Sequence, residues 1–280
     1  MALIEAGHLH RVAVVVEDVT TASAWFTRVL GAGPLGTDRH GNPGDVAMGA
    51  GEEDLAGTDA CMLRVGGYPF ILLAKGEPGG PVDKFFQRYG PSVQSLAWEV
   101  DDMWVVQNLL LQHGVRVPSV SIAGRHFFMH PKDTHGVLME WTDDSFGENV
   151  RRPGEGGGTV EVAGLAWVTA AVADAAGTAA FLTDLCGAEL ARRDTDAETV
   201  VDVQIGDSVL RLVTPGSAES WYAPYLDSGP RLASCGLRVA DLDAALEALA
   251  AEGVATVSNS GGIARTDPAT TCGIPFEWTA

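Results

Sequence analysis

The first clear pattern in the chain is an apolar run followed by a segment with helical periodicity. Residues 12–16 are all apolar, and Glu17 and Asp18 end the run. Apolar positions then recur at helical spacing up to Leu30, and Gly31 follows. An Asp before such a pattern and a Gly after it are typical of a helix start and a helix stop. The pattern therefore predicts a strand, a capped helix and a turn.

The same pattern recurs in the second half of the chain. Residues 168–172, V-T-A-A-V, form a similar and mostly apolar run, and Asp174 and Gly187 follow it with the spacing that separates Asp18 from Gly31. Because the run, the cap and the stop signal all return together, we interpret the two halves as copies of one structural repeat.

A second pair of repeats follows later in each half. Asp102 and Asp241 open helical patterns of similar length, and each pattern ends at a glycine. Each half then closes on a segment of the form G-x-x-x-E-W-T, at residues 136–142 and 273–279. Further alternating segments predict about three strands after each helix. They lie at residues 60–65, 70–73, 115–120, 126–129, 137–141, 200–205 and 210–214.

Four βαβββ repeats predict an α+β protein with two tandem domains. We place an N-terminal domain at residues 1–150 and a C-terminal domain at residues 159–280. Residues 151–158 join them and have the Gly-rich composition of a flexible linker. The Gly- and Asp-rich stretch at residues 31–57 predicts a mobile loop.

Composition limits the partners of the chain. Its 37 acidic and 18 basic residues give a formal net charge of −19, which disfavours binding to nucleic acid and to anionic membranes. The aliphatic run at residues 12–16 is too short to span a membrane, and the first ten residues lack the pattern of a secretory signal. The four cysteines show no metal-binding spacing. We therefore expect a cytoplasmic protein with reduced thiols and a small-molecule ligand, and homodimer formation stays open.

Paired βαβββ repeats with these signatures resemble the vicinal oxygen chelate superfamily, which includes glyoxalase I, bleomycin-resistance proteins and extradiol dioxygenases. The resemblance covers the whole chain and is carried by residues 12–18, 25–32 and 96–102. Residues 130–140, H-P-K-D-T-H-G-V-L-M-E, resemble the closing strands of methylmalonyl-CoA epimerase. The resemblance implies that two repeats curl into an open cup, where a divalent metal acts as a Lewis acid on the substrate.

The resemblance also implies four metal-ligand positions per domain, on the first and last strands of each repeat. Glu140 and Glu277 keep the usual final carboxylate. The other positions hold different residues: Arg11, Ser95 and approximately Ile71 in the first domain, and Trp167, Ser234 and approximately Arg211 in the second. Because one usual ligand of four is kept, we favour neither a bound metal nor another cofactor.

The histidines leave a divalent metal as an alternative in the first domain. All seven histidines lie in the first half of the chain. A metal there would use His10, His126 and Glu140, although His10 stands one residue from the expected position and needs a β-bulge to face the cup. The second domain cannot supply two histidines, which argues against the iron site of extradiol and hydroxyphenylpyruvate dioxygenases.

The leading hypothesis is an isomerase, epimerase or lyase that abstracts a proton next to a carbonyl group. Glu140 would be the base, and Arg11, Ser95 and His126 would orient or polarise the substrate. The second domain would be degenerate.

Each cup is also expected to pair an arginine with its glutamate, Arg11 with Glu140 and Arg211 with Glu277.

One alternative function is a non-catalytic binding or resistance protein for an antibiotic or an aromatic molecule. A second alternative is a metal-dependent dioxygenase or glyoxalase with unusual ligands.

Overall fold

The computed structural model describes residues 2–34, 59–120, 126–143 and 157–280. The expected loop at residues 31–57 and the expected linker at residues 151–158 lie mostly outside these ranges. The predicted α+β class is confirmed, with sixteen strands and six α-helices in the described part of the chain.

All four predicted βαβββ repeats are present. The first contains β1 (Leu9–Val16), α1 (Val19–Leu30), β2 (Gly33–Pro34), β3 (Ala60–Val65) and β4 (Tyr68–Ala74). The second contains β5 (Ser92–Glu99), α3 (Met103–Gln112), β6 (Ser119–Val120), β7 (His126–Phe128) and β8 (Met139–Thr142). The third contains β9 (Val162–Ala171), α4 (Ala175–Leu185), β10 (Gly187–Asp194), β11 (Glu198–Ile205) and β12 (Ser208–Pro215). The fourth contains β13 (Arg231–Val239), α6 (Leu242–Ala251), β14 (Thr256–Ser260), β15 (Ile263–Thr266) and β16 (Phe276–Thr279).

Two further helices connect repeats and were not predicted from the sequence. Helix α2 (Pro81–Tyr89) follows the first repeat, and helix α5 (Ala223–Asp227) follows the third. Each packs apolar side chains onto a sheet face of the repeat before it.

The strands form two eight-stranded sheets with matching strand order. The orders are β2-β3-β4-β1-β5-β8-β7-β6 and β10-β11-β12-β9-β13-β16-β15-β14. In every repeat the first and last strands are parallel neighbours, and the remaining strand pairs within a repeat are antiparallel. The ends of each repeat therefore lie side by side, and these are the strands on which the resemblance implies the ligand positions.

Packing groups the chain into two compact bodies, named here for their place in the sequence. The inner body contains residues 1–10, 95–145 and 167–233, so it holds most of the second and third repeats. The outer body contains residues 11–94, 146–166 and 234–280, with most of the first and fourth repeats. The domain boundaries expected from the sequence, 1–150 and 159–280, stay a prediction.

The helix starts predicted from the sequence are confirmed. Asp18, Asp102, Asp174 and Asp241 all stand at the N-cap position, and the side chain of each accepts a hydrogen bond from a backbone N–H in the first turn. These bonds satisfy donors that the helix itself leaves unpaired.

Aromatic packing joins the first and fourth repeats in the outer body. Trp25 of α1 stacks on Phe276 of β16 with ring centroids 6.0 Å apart, and Phe26 meets the same ring edge-on. Strand β1 of the same body has a second apolar contact. Its residues Ala13 and Val15 face one side and lie in an apolar cluster that α2 covers. Both faces of β1 are therefore buried, and α2 covers the face of Ala13 and Val15.

The inner body is held together by tryptophans and a histidine. Trp98 and Trp141 are fully buried, and their ring centroids are 6.0 Å apart. Trp98 Nε1 donates to Ser208 Oγ of the third repeat at 2.9 Å. His135 hydrogen-bonds Thr178 at 2.8 Å and stacks on the Phe181 ring. These contacts hold β5 and β8 rigidly from the face opposite Glu140.

Candidate functional site

A buried serine–glutamate pair lies where β5 and β8 run side by side. Ala97 is in register with Glu140, and Ser95, two residues earlier, faces the same side of the sheet. The Ser95 hydroxyl donates a hydrogen bond to Glu140 Oε1. The two residues are 1% and 2% exposed. The hydrogen bond therefore fixes the carboxyl orientation on a rigid strand.

His126 is on the same sheet face as this pair. In the antiparallel ladder of β7 and β8, Phe128 is in register with Glu140 and His126 with Thr142. His126 is buried, and its ring meets the Phe128 ring edge-on at 5.7 Å. The structure thus brings Ser95, His126 and Glu140 to one face of adjacent strands within the inner body.

The remaining candidate residues of the first half lie on β1. Arg11 is partly buried, and strand alternation puts it on the face of Ala13 and Val15. His10 is buried and takes the opposite face, with Val12. Strand β1 pairs in regular register with β4 from Val12 to Val16. The roles expected for Arg11 and His10 stay predictions.

The second sheet contains a matching pair with an added arginine. Ser234 Oγ donates to Glu277 Oε1 at 2.5 Å, and Arg265 Nε lies 3.7 Å from Glu277 Oε2. Arg265 is in register with Glu277, where the first sheet has Phe128 opposite Glu140. This arginine was missed, since nothing in the sequence fixes the register across residues 267–275.

Arg211 does not make the pairing that the sequence suggested. It was expected opposite Glu277, but its Nε and Nη2 donate to the two oxygens of Asp202 at 2.7 and 2.9 Å. The Trp167 ring lies against the guanidinium, and its centroid is 3.6 Å from Arg211 Cζ. The sequence could have predicted Asp202 as the partner of Arg211. The tight turn at residues 206–207 sets the hairpin register that puts Asp202 opposite Arg211.

The residues at the metal-ligand positions do not fit a divalent ion. A guanidinium is protonated and only donates hydrogen bonds, and an isoleucine has no donor atom, so Arg11 and Ile71 cannot ligate. Across the ranges that the structure describes, no three His, Cys, Asp or Glu side chains group as metal ligands, and this search included His10, His126 and Glu140. We therefore derive no chemical step through a metal, and the metal content of the protein stays a prediction.

Two buried cysteines are poor nucleophiles. Burial raises the pKa of the Cys186 thiol, and burial together with the nearby Glu277 carboxylate raises that of Cys235. Both thiols stay protonated near neutral pH, and the thiolate is the reactive form. Covalent catalysis at these residues is disfavoured.

The turn that leads into β8 is fixed by an ion pair. Asp133 accepts hydrogen bonds from the backbone N and the guanidinium of Arg116. These bonds lower the pKa of Asp133 to about 2. The folded pKa is therefore below the unfolded value of about 3.9. The pair thus contributes stability above about pH 4 that is lost as the pH falls towards 2.

Asp133→Asn should destabilise the fold by less than about 1 kcal/mol at pH 7, because Arg116 is largely exposed and water screens the pair. Urea unfolding of the wild type and the variant should show a difference that shrinks between pH 5 and pH 3. Asp101→Asn, at an exposed position beside the α3 cap, is the control and should stay close to wild type. A difference that grows on acidification would contradict the assignment.

The comparisons with known proteins agree with this architecture. Models of the Glyoxalase/Bleomycin resistance protein/Dioxygenase superfamily match residues 10–128 and residues 164–266. A mutant of 4-hydroxymandelate synthase from Streptomyces coelicolor is similar in structure, with a TM-score of 0.68 and 15% identity over 98% of this chain and 92% of that chain. At 15% identity this likeness shows the fold alone.

Shorter structures match part of the chain. Methylmalonyl-CoA epimerase from Mycobacterium tuberculosis is 24% identical with a TM-score of 0.39, over 44% of this chain and 91% of that chain. Another methylmalonyl-CoA epimerase is 20% identical with a TM-score of 0.36, over 41% and 94%. No curated protein matches the sequence. Among the described residues, no helix has the length and apolar character needed to cross a membrane.

Two family models match the chain in tandem, and the two sheets of matching strand order agree with them. The chain belongs to the glyoxalase/bleomycin resistance protein/dioxygenase superfamily, also called the vicinal oxygen chelate superfamily, and carries two of its domains in tandem.

Proposed function

We propose that the chain is a small-molecule enzyme of the isomerase, epimerase or lyase type, which removes a proton next to a carbonyl group. The observation that carries the proposal is the buried carboxyl of Glu140, held by Ser95 at the position of the superfamily's final ligand. A carboxylate fixed on a rigid strand is suited to general base catalysis, because its reacting oxygen needs no reorientation in the transition state.

Each residue has a distinct role in this mechanism. Ser95 donates to Glu140 Oε1 and holds the carboxylate in place, and the Glu140 carboxylate takes the proton from the substrate carbon. Negative charge then develops on the carbonyl oxygen, and a positioned donor lowers the barrier by stabilising it. His126, on the same sheet face as Glu140, is the residue that we assign to the carbonyl oxygen. Returning the proton to the same or a neighbouring carbon gives epimerisation or isomerisation.

Exchange of carbon-bound hydrogen tests the proposal directly. The protein is incubated in D₂O with a panel of 2-hydroxy ketones, 2-oxo acids and acyl thioesters, and proton NMR follows the signal next to each carbonyl. At least one compound class should lose this signal, or form product, at a rate that saturates with substrate. Saturable binding without exchange for every compound that binds would contradict an enzyme.

A non-catalytic binding protein is the second candidate, and the recurrence of the serine–glutamate pair favours it. In the second sheet Arg265 already lies beside Oε2 of Glu277, which suits a structural role better than proton transfer. If Glu140 has the same role, the chain sequesters an aromatic or antibiotic-like molecule without changing it. Compounds recovered after equilibrium dialysis in D₂O would then be chemically unchanged, and the hydrogen next to each carbonyl group would not have been replaced by deuterium.

A further inference from the structure

Arg211 in the third repeat is held with little freedom to rotate. Asp202 binds the Nε and Nη2 edge of its guanidinium, and the Trp167 ring covers one face. Arg211 is 7% exposed. A guanidinium that is stacked and bound bidentately presents its other donors in a fixed direction.

One edge of this guanidinium is not used. Within the described residues, the hydrogen bonds of Arg211 come from Nε and Nη2, and none comes from Nη1. The edge formed by Nη1 and the outer hydrogen of Nη2 therefore still offers two parallel donors. Two parallel N–H groups match the two oxygens of a carboxylate.

The surrounding charge favours an anion. Arg193 Nη1 lies 4.0 Å from Asp202 Oδ2, so one carboxylate is shared by two guanidinium groups. The cluster carries a net positive charge, in a chain whose formal net charge is −19. Attraction to an anionic ligand is stronger where the protein partly excludes water.

The same sheet face becomes apolar next to Arg211. Val213 is two residues along β12 and faces the same side, about 7 Å away. It packs in a cluster with Val200, and α5 and the segment before it add the partly buried rings of Trp221 and Tyr225. A positive edge on the same sheet face as an apolar cluster with aromatic rings suits a ligand with both an anionic and a planar apolar part.

We propose that this face of the third repeat binds a small aromatic carboxylate. The carboxylate would sit on the Nη1 and Nη2 edge of Arg211, and the ring would lie against Trp221 and Tyr225. Because the site uses neither Glu140 nor Ser95, it is independent of the proposed catalytic function.

Fluorine NMR of protein labelled with 5-fluorotryptophan tests this site in the full chain. Trp167→Phe and Trp104→Phe assign two of the seven tryptophan resonances, and Trp104 is an exposed reference on α3. Titration with benzoate should shift the Trp167 resonance with a Kd on the order of 1 mM, as expected for so small a ligand. The Trp104 resonance should stay in place, and neutral benzamide should bind at least about tenfold more weakly.

Matched variants separate binding from folding. Arg211→Lys should weaken benzoate binding at least about tenfold, a difference of about 1.4 kcal/mol, whereas Arg238→Lys, at an exposed position on β13, should bind as the wild type does. Since the lysine leaves Asp202 with a poorer partner, a second variant replaces the pair by Arg211→Met and Asp202→Leu. Apolar replacement of a buried ion pair usually preserves the fold, and this variant should lose the benzoate-induced shift.

Three results would overturn the proposal: no Trp167 shift with benzoate, equal binding of benzamide, or unchanged affinity in Arg211→Lys. Glu140→Gln should titrate with benzoate as the wild type does. The absence of hydrogen exchange would therefore not affect the benzoate titration, and the absence of benzoate binding would not affect the test of catalysis.

Discussion

Glu140→Gln should reduce the rate of carbon–hydrogen exchange by at least about 100-fold, within the usual range for loss of a general base. Glutamine keeps the shape of the side chain and an oxygen that can accept the Ser95 hydroxyl, but it cannot take a proton. Substrate affinity should change much less than the rate, because the base acts in the transition state. The measurement is the exchange rate at saturating and at low substrate concentration.

Glu277→Gln is the matched control for this prediction, since Glu277 has the same serine partner in the second sheet. At a temperature at which this variant is still folded, its exchange rate should stay close to that of the wild type. Equal losses in both variants would mean that the active repeat is wrongly assigned. A lost rate in Glu140→Gln together with a large fall in melting temperature would instead indicate a structural pair.

Glu277→Gln should have its main effect on stability. The carboxylate is fully buried, and its Oε2 is 3.7 Å from the mostly buried Arg265. Glutamine removes the negative charge from one side of this buried pair, and breaking a buried ion pair on one side typically costs about 3–5 kcal/mol. Urea unfolding should therefore show a much lower midpoint for this variant.

Two further variants test the cause of that loss. Glu247→Gln, at an exposed position on α6, should change the free energy of unfolding by less than about 0.5 kcal/mol. Replacing both partners, by Arg265→Met and Glu277→Leu, should recover most of the stability, because both charges of the pair are then removed together. A double variant as unstable as Glu277→Gln would show that the ion pair is not the reason.

Much of the fold could be predicted from local patterns. Asp18 and Asp102 cap their helices as predicted, because a short side-chain acceptor before an apolar helical pattern has few other uses. Alternation along β1 placed Val14 and Val15 on opposite faces, since the strand period of two leaves no choice. The repeated landmarks gave four βαβββ repeats because the same physical pattern occurs four times.

The candidate site was predicted only in part. The partnership of Ser95 with Glu140 could be anticipated, because parallel strands at the two ends of one repeat bring those positions together. The Arg265 partner of Glu277 could not, since a long connection with irregular structure sets its register. Helix α2 gave no clear signal either, because its short apolar pattern has meaning only against the sheet face that it covers.

Hydrogen exchange by metal-stripped protein tests the central claim most directly. The purified chain is dialysed against a chelator, its metal content is measured by elemental analysis, and exchange in D₂O is compared with that of Glu140→Gln. The account predicts well below one transition-metal ion per chain, full exchange activity in the wild type and almost none in the variant. Near one equivalent of iron, zinc, manganese or nickel, with activity that disappears on its removal and returns on its addition, would contradict the account.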